Sequence, residues 1–293
     1  MRELDLTHVF DTEPPELDFI ICRLVAGTVG NIGGPGGIGK SFAALEMGMG
    51  VASAEADSQL LSVAYGNEGS VAIFNLEDPD SVNKTRFKHI GHHLNLSARR
   101  QVLANLKFHS YDQEANDIMC PRFLGEVIKK CQNKRLVIFD TFSRFHNLTE
   151  NDNGQMTQVI RCYEKIAFET GAAVLFIHHS SKAAVLSGHQ VLQQANRGAS
   201  AITDNCRWQG YIQSMSFEEE RAYGLEEGSR NRFVKFGGNK ENYGPPTAQR
   251  WLERVENGVF LPTTKFLNVT SRKSKPNLKI VEKVRGNSND TFI

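Results

Sequence analysis

Gly33-Gly34-Pro35-Gly36-Gly37-Ile38-Gly39-Lys40-Ser41 decides the fold of this chain. From Gly34 to Ser41 it matches G-x-x-x-x-G-K-[ST], the spacing of a phosphate-binding loop. Each residue type has a physical task there. Gly34, Gly36, Gly37 and Gly39, with Pro35 and Ile38 between them, let backbone N–H groups turn inward around phosphate oxygens without Cβ clashes. Lys40 sets an ammonium against the β- and γ-phosphates, and the Ser41 hydroxyl is offered to Mg²⁺. Thr28 to Ile32 reads as a strand entering the loop. Phe42, Leu45, Met49 and Ala52 recur at helical spacing behind it, so a helix aims its positive end at the same phosphates. A flexible glycine linker leaves the Lys-Ser pair at the helix start unexplained.

Further along, apolar runs alternate with helical stretches. Val71–Leu76, Leu136–Phe139 and Ala172–Ile177 are continuous apolar segments of strand length. Helices are expected near 81–93 and near 121–132. Another is expected where Val159, Tyr163, Ile166 and Ala167 share a face. Buried strands separated by helices imply a parallel sheet covered on both sides. After about residue 205 the pattern changes. Trp208–Ile212 and Arg232–Phe236 alternate and are bounded by turn residues, as antiparallel strands extending the same sheet are. Residues 1–24, with Pro14-Pro15, read as an arm, 25–271 as one ATPase domain, and 272–293 as a polar, disordered tail.

The strand ends supply candidate chemistry, because ligands gather at the carboxyl ends of parallel strands. Leu136-Val137-Ile138-Phe139-Asp140 has the form of a Walker B strand, with Asp140 placed to hold Mg²⁺ beside Ser41. Val71–Leu76 ends in Glu77-Asp78. Glu77 is the first choice for the base that activates water, with Asp78 as the fallback; Asp78 before Pro79 also suits a helix cap. Ala172–Ile177 ends in His178-His179. A polar group there is placed to sense the γ-phosphate. Neighbours on a strand point to opposite faces, which argues against a metal shared by the pair.

Bulk composition sets limits. The 293 residues are 40% hydrophobic and 23% charged, with formal net charge +1. That charge excludes the overall basic character of a non-specific duplex binder, although a local channel for nucleic acid remains open. Five scattered cysteines without a C-x-x-C pair argue against a zinc site or a disulfide framework and for a reducing compartment, the cytoplasm. No apolar run approaches a membrane span, and Met1–Asp5 is not the start of a signal peptide.

Together the motifs resemble the RecA-like ring ATPases, and more closely the RepA-type hexameric replicative helicases of broad-host-range plasmids. Carrying the resemblance are Val25–Gly30 before the glycine loop, Glu77-Asp78-Pro79, Asp140-Thr141, Arg144-Phe145-His146, His178-His179, Arg197–Ser200, Asp204-Asn205, Arg207-Trp208-Gln209 and Asn242-Tyr243-Gly244. It spans residues 12 to 265.

The resemblance implies a RecA-like core in which ATP and Mg²⁺ drive 5′→3′ translocation of a homohexameric ring on single-stranded DNA, with plasmid initiator and primase proteins as partners. It implies catalytic roles for Glu77 and Asp140, a γ-phosphate sensor at His179, and an arginine finger at Arg207 reaching into the adjacent subunit. Lys240 is a second candidate for that cation. Arg86 and Tyr243 are the candidates for flanking adenine. Lys182 and Arg197, the cations of the 180–197 loop, are the candidates for DNA contact. A different class is a RecA-like ATPase that regulates or loads a replication machinery without unwinding. A helicase needs channel-lining loops with cations and hydrogen-bond donors, and the regulator does not.

Overall fold

The computed structural model describes residues 3, 5–53, 60–61, 69–110, 116–179, 200–244 and 247–266. Lys182, Arg197, the 180–197 loop and the 272–293 tail lie outside them. The chain divides into a main unit, Met1–Thr263, and a C-terminal segment, Thr264–Ile293, of which residues 264–266 are described.

In the main unit, β3 (Val29–Gly34), β4 (Val71–Asn75), β5 (Leu106–Ser110), β6 (Leu136–Asp140), β7 (Ala173–His179) and β8 (Trp208–Ser214) form a parallel block. Beyond β8 follow the antiparallel β9 (Phe233–Glu241), β10 (Arg250–Arg254) and β11 (Phe260–Pro262). The sheet order is β11-β10-β9-β8-β3-β7-β6-β4-β5. Every residue of β4 and β6 is buried. Successive side chains alternate between two apolar cores: Leu136 and Ile138 enter one, Val137 and Phe139 the other. This is why those strands read as unbroken apolar runs rather than alternating ones.

The helices behave as their ends dictate. α1 (Lys40–Ser53) leaves the glycine loop, and α2 (Asp80–Gly91), α4 (Pro121–Cys131) and α5 (Asn153–Thr170) match the expected stretches. Asp152 caps α5 by accepting from the Gln155 N–H (3.0 Å), and Gly171 ends it at φ 72°. α6 (Ser200–Asn205) leads into β8, and α7 (Phe217–Ala222) opens on a capping box from Ser216 and Glu219. Two elements had no periodic signal: α3 (Leu96–Asn105) and the edge strand β5, whose sequence LKFHS is only half apolar. Residues expected as an arm end in a short hairpin, β1 (Phe19–Ile21) with β2 (Leu24–Val25). Ile20, Ile21 and Leu24 in it are fully buried, so the apolar core begins before residue 25.

Candidate nucleotide-binding site

Parallel register gathers the motif residues at one end of the sheet. Asn75 lies opposite Asp140, Gly33 opposite His178, and Gly34 opposite His179. The glycine loop, Lys40, Ser41, Glu77 and His179 line one open pocket of about 320 Å³. Gly37 and Gly39 have φ of 73° and 99°, a region that other residues enter only with strain. Gly39 is doubly constrained, since a Cβ there would sit 2.6 Å from the Phe260 ring.

Lys40 curls into the loop. Its Nζ donates to the Gly34 and Pro35 carbonyls (both 2.8 Å) and lies 3.0 Å from Nδ1 of His179. Burial lowers its pKa to about 8, against the opposing pull of Asp140 and Glu77. Since an ammonium only donates, His179 Nδ1 accepts, and its proton resides on Nε2. That nitrogen faces Glu77 Oε1 at 3.9 Å. Burial, reinforced by the Lys40 charge, lowers the His179 pKa and favours the neutral ring. His179 thus bridges the phosphate-loop lysine and Glu77. Its neighbour His178 points to the other face, packing edge-on against Phe142, and burial lowers its pKa to about 4.

Asp140 is buried at the end of β6. Its Oδ2 accepts from Asn75 Nδ2 (3.0 Å), while Oδ1 has no hydrogen-bond partner. Burial raises its pKa to about 6, offset in part by the Ser41 hydroxyl. A buried carboxylate beside the Ser41 hydroxyl at a phosphate loop is a donor set suited to an oxygen-seeking divalent cation such as Mg²⁺. Asp78 is occupied elsewhere. It pairs with Arg86 Nη1 at 2.6 Å and does not cap α2, whose preceding residue Pro79 makes no side-chain cap bond.

Two residues that shape the pocket, Asn75 and Arg254, are not among the candidates the motifs supply. Asn75 Oδ1 accepts from the backbone N–H groups of Glu77 (3.3 Å) and Asp78 (3.1 Å), so one amide holds both Asp140 and the turn bearing Glu77. A polar residue closing an apolar strand was the available signal. Arg254, from β10, donates through Nη2 to the Ile38 carbonyl (2.6 Å) and lines the pocket with Phe42 and Gly258. No local pattern announces that contact.

Arg86 lines the pocket, its guanidinium 5.6 Å over the Phe42 ring. Tyr243 does not. It lies just beyond the end of β9, next to Asn242, whose N–H donates to the Arg207 carbonyl (3.2 Å). Since β9 runs antiparallel, its end lies at the sheet edge away from the phosphate loop, and the pair expected to flank adenine does not meet within one chain. Arg207 shares that far edge, its N–H bonded to Val29 at the start of β3. The run of β3 from Val29 to Gly34, at about 3.3 Å per step, separates Arg207 from the chain's own loop by roughly 17 Å. Lys240 is close by, and its Nζ is held by the carbonyls of Thr203 (3.0 Å) and Asp204 (2.8 Å). Arg207 is exposed, and among the described residues its guanidinium has no partner.

No helix among the described residues is long and apolar enough to cross a membrane. The AAA domain family model matches residues 2–185. Among solved structures, the RadB recombinase superposes with a TM-score of 0.52 at 14% identity, over 81% of this chain and 91% of that one. A DnaB-like replicative helicase, described with its interactions with primase, superposes with a TM-score of 0.54 at 15% identity, over 80% of this chain and 57% of that one. At such identities the likeness is one of fold, a RecA-like sheet with added antiparallel strands. With the family match covering well over half its length, the chain belongs to the AAA domain family, as a nucleotide-dependent ATPase of RecA-like fold.

Proposed function

We propose that this protein is a RepA-type replicative helicase, which hydrolyses ATP at the interfaces of a homohexameric ring to move 5′→3′ along single-stranded DNA and unwind duplex. One observation carries the interfacial part: an exposed Arg207, without a side-chain partner among the described residues, at the opposite end of the sheet from the pocket. A cation there reaches a phosphate only on a neighbouring copy, and head-to-tail contacts of that kind close into rings.

In this scheme the loop N–H groups and Lys40 bind the phosphates, and Ser41 and Asp140 hold Mg²⁺. When bound, the metal neutralises charge shared by the β- and γ-phosphates. Glu77 orients a water and takes its proton as the water oxygen attacks phosphorus and the bond to the ADP oxygen breaks. Asp78 is a poorer base, since its carboxylate is neutralised by Arg86. His179 reports phosphate occupancy from Lys40 to Glu77 and to the segment that follows it, where Lys182 and Arg197 are assigned to DNA. Arg207 of the neighbouring copy stabilises the transition state.

Strand displacement on 5′- and 3′-tailed duplexes, with the mass of the assembly measured in parallel, tests this. Displacement of the 5′-tailed substrate by a six-membered assembly is expected. ATP hydrolysis without displacement on either substrate would instead identify a regulator or loading factor.

A further inference from the structure

Charge is segregated in this chain to a degree that its net value of +1 hides. Residues 81–110 contain six Lys or Arg and no acidic side chain. They build α2, α3 and the edge strand β5. The positive charge continues on the other face of that strand. Lys129 and Lys130 stand in the last turn of α4. Burial lowers the His109 pKa, and Lys130 and Lys134 lower it further, which places both lysines beside β5. The one acidic residue of α4, Glu126, pairs with Arg122 (3.3 Å). Lys84, Lys88, Arg100, Lys107 and Lys130 are exposed, and none of them pairs with a carboxylate among the described residues. Along β5, Leu106 and Phe108 pack toward α1 while Lys107 and His109 alternate to the opposite face, so cations flank the sheet edge on both sides.

Between α2, α3 and β5 lies an open groove of about 490 Å³. Phe87 and Phe108 line it and meet edge to face at 5.2 Å, with Leu103, Lys88, His92 and Arg99 around them. An edge strand is kept from pairing with other chains by a single lysine such as Lys107. That protection accounts for neither the aromatic groove nor the cations on both faces. Unpaired cations beside groove-lining aromatic rings suit an unpaired nucleic-acid strand, because the cations follow its phosphates and the rings stack on its bases. A duplex hides its bases and engages only the cations. The 180–197 segment, assigned to DNA in the helicase proposal, contains no Phe, Trp or Tyr. It follows β7, which lies three strands from β5, roughly 14 Å at about 4.8 Å per strand.

We infer that this sheet edge is a second site for single-stranded nucleic acid, with bases in the α2–α3–β5 groove and phosphates on Lys88, Arg99, Lys107 and Lys130. Stacking on Phe87 and Phe108 selects an unpaired strand, and the cations supply affinity without regard to sequence. The site needs neither a ring nor unwinding. Its use, to hold the strand displaced from the duplex and delay reannealing, rests on the helicase proposal.

Photo-cross-linking tests it directly. The full chain is irradiated with an oligodeoxythymidylate carrying 4-thiothymine, and the cross-linked peptides are mapped. Adducts within residues 84–108 are expected; adducts everywhere but there overturn the inference. Lys88→Gln, Lys107→Gln and Lys130→Gln change exposed side chains outside the nucleotide pocket, so the fold and ATP binding are kept. Each phosphate contact with a single strand contributes about 0.7 to the slope of log affinity against log salt, so the triple variant is expected to lose about 2. A slope equal to that of the wild type overturns the inference. Equal competition by a blunt duplex of the same length also overturns it, and makes the edge a general polyanion surface. Loss of polyglutamate binding at unchanged oligonucleotide affinity overturns it in favour of an acidic protein. In strand displacement the triple variant is expected to unwind more slowly at unchanged ATP hydrolysis. Adducts at 84–108 in a wild type that displaces no strand would sink the helicase proposal and leave the site in place.

Discussion

β3, β4, β6 and β7 bring Gly33–Ser41, Asn75–Asp78, Asp140 and His178–His179 to one end of the sheet by parallel register alone. β10 and β11 reach the same place differently, through single contacts formed across more than two hundred residues. Arg254 donates to the Ile38 carbonyl, and the Phe260 N–H donates to Glu46 Oε1 in α1. The last parallel strand, β8, starts from Arg207 at the far end of the sheet, and the antiparallel β9 carries Lys240 and Tyr243 to that same end. One half of the sheet holds a site nearly complete in itself. The other half braces that site and faces outward. Chemistry in the first half therefore depends on residues near in register, and in the second on a long-range contact or on another molecule.

The sharpest break between the halves is Arg207. Arg207→Ala is expected to bind ATP normally and to lose turnover by about 10³-fold or more, as other NTPases do without their finger. Lys40→Ala is expected to abolish turnover from within the same pocket. Mixing the two inactive variants, once exchange between assemblies is shown, restores partial activity, since some interfaces then join an intact loop to an intact arginine. Normal hydrolysis by Arg207→Ala would place Arg207 among structural residues and move the role to Lys240, despite its two carbonyl partners.

Within the parallel half, Glu77→Gln is expected to keep nucleotide affinity and lose roughly 10²–10³-fold in turnover, the range for removal of a general base. Asp78→Asn is expected to cost less, because Asp78 is bound to Arg86. A larger loss from Asp78→Asn, measured by single-turnover hydrolysis, would reverse their roles.

The same division explains what could be read in the sequence. The phosphate loop, the apolar strands ending in Asp140, Glu77 and His179, and the change to alternating strands after residue 205 are all local patterns. Fold and sheet direction follow from them. Asn75 was overlooked because one buried amide makes no periodic mark, although it ties Asp140 to the Glu77 turn. Arg254 and Phe260 were invisible because no spacing encodes partners more than two hundred residues away. That Tyr243 and Arg86 stand at opposite ends of the sheet within one chain was not legible for a related reason: which end a residue reaches depends on strand direction, and β9 runs opposite to β4.

Arg254 sharpens the comparison at smaller scale. If the antiparallel strands only brace the pocket, Arg254→Ala should leave the chemical step alone and weaken ATP binding about tenfold, near 1.4 kcal/mol for a half-exposed charged hydrogen bond lost from the loop. Equilibrium binding and single-turnover rates separate the two effects. A large fall in the rate itself would make Arg254 a participant.

The smallest effect concerns the other brace. Glu46 is fully buried in α1, with Oε1 accepting from Phe260 and Oε2 without a partner. Burial raises its pKa well above the ordinary 4.5, and the Phe260 bond only partly opposes this. The folded state therefore holds this proton more tightly than the unfolded chain. Its contribution to stability is fully present below pH 4.5 and is lost progressively as pH rises through the folded-state value. Glu46→Gln keeps the acceptor for Phe260 and titrates no longer. Thermal unfolding of the variant should depend less on pH from 4.5 upward, and the variant should gain on the wild type as pH rises. Parallel curves for the two proteins would show that Glu46 reaches water and that β11 is tied to α1 by the backbone bond without a buried proton.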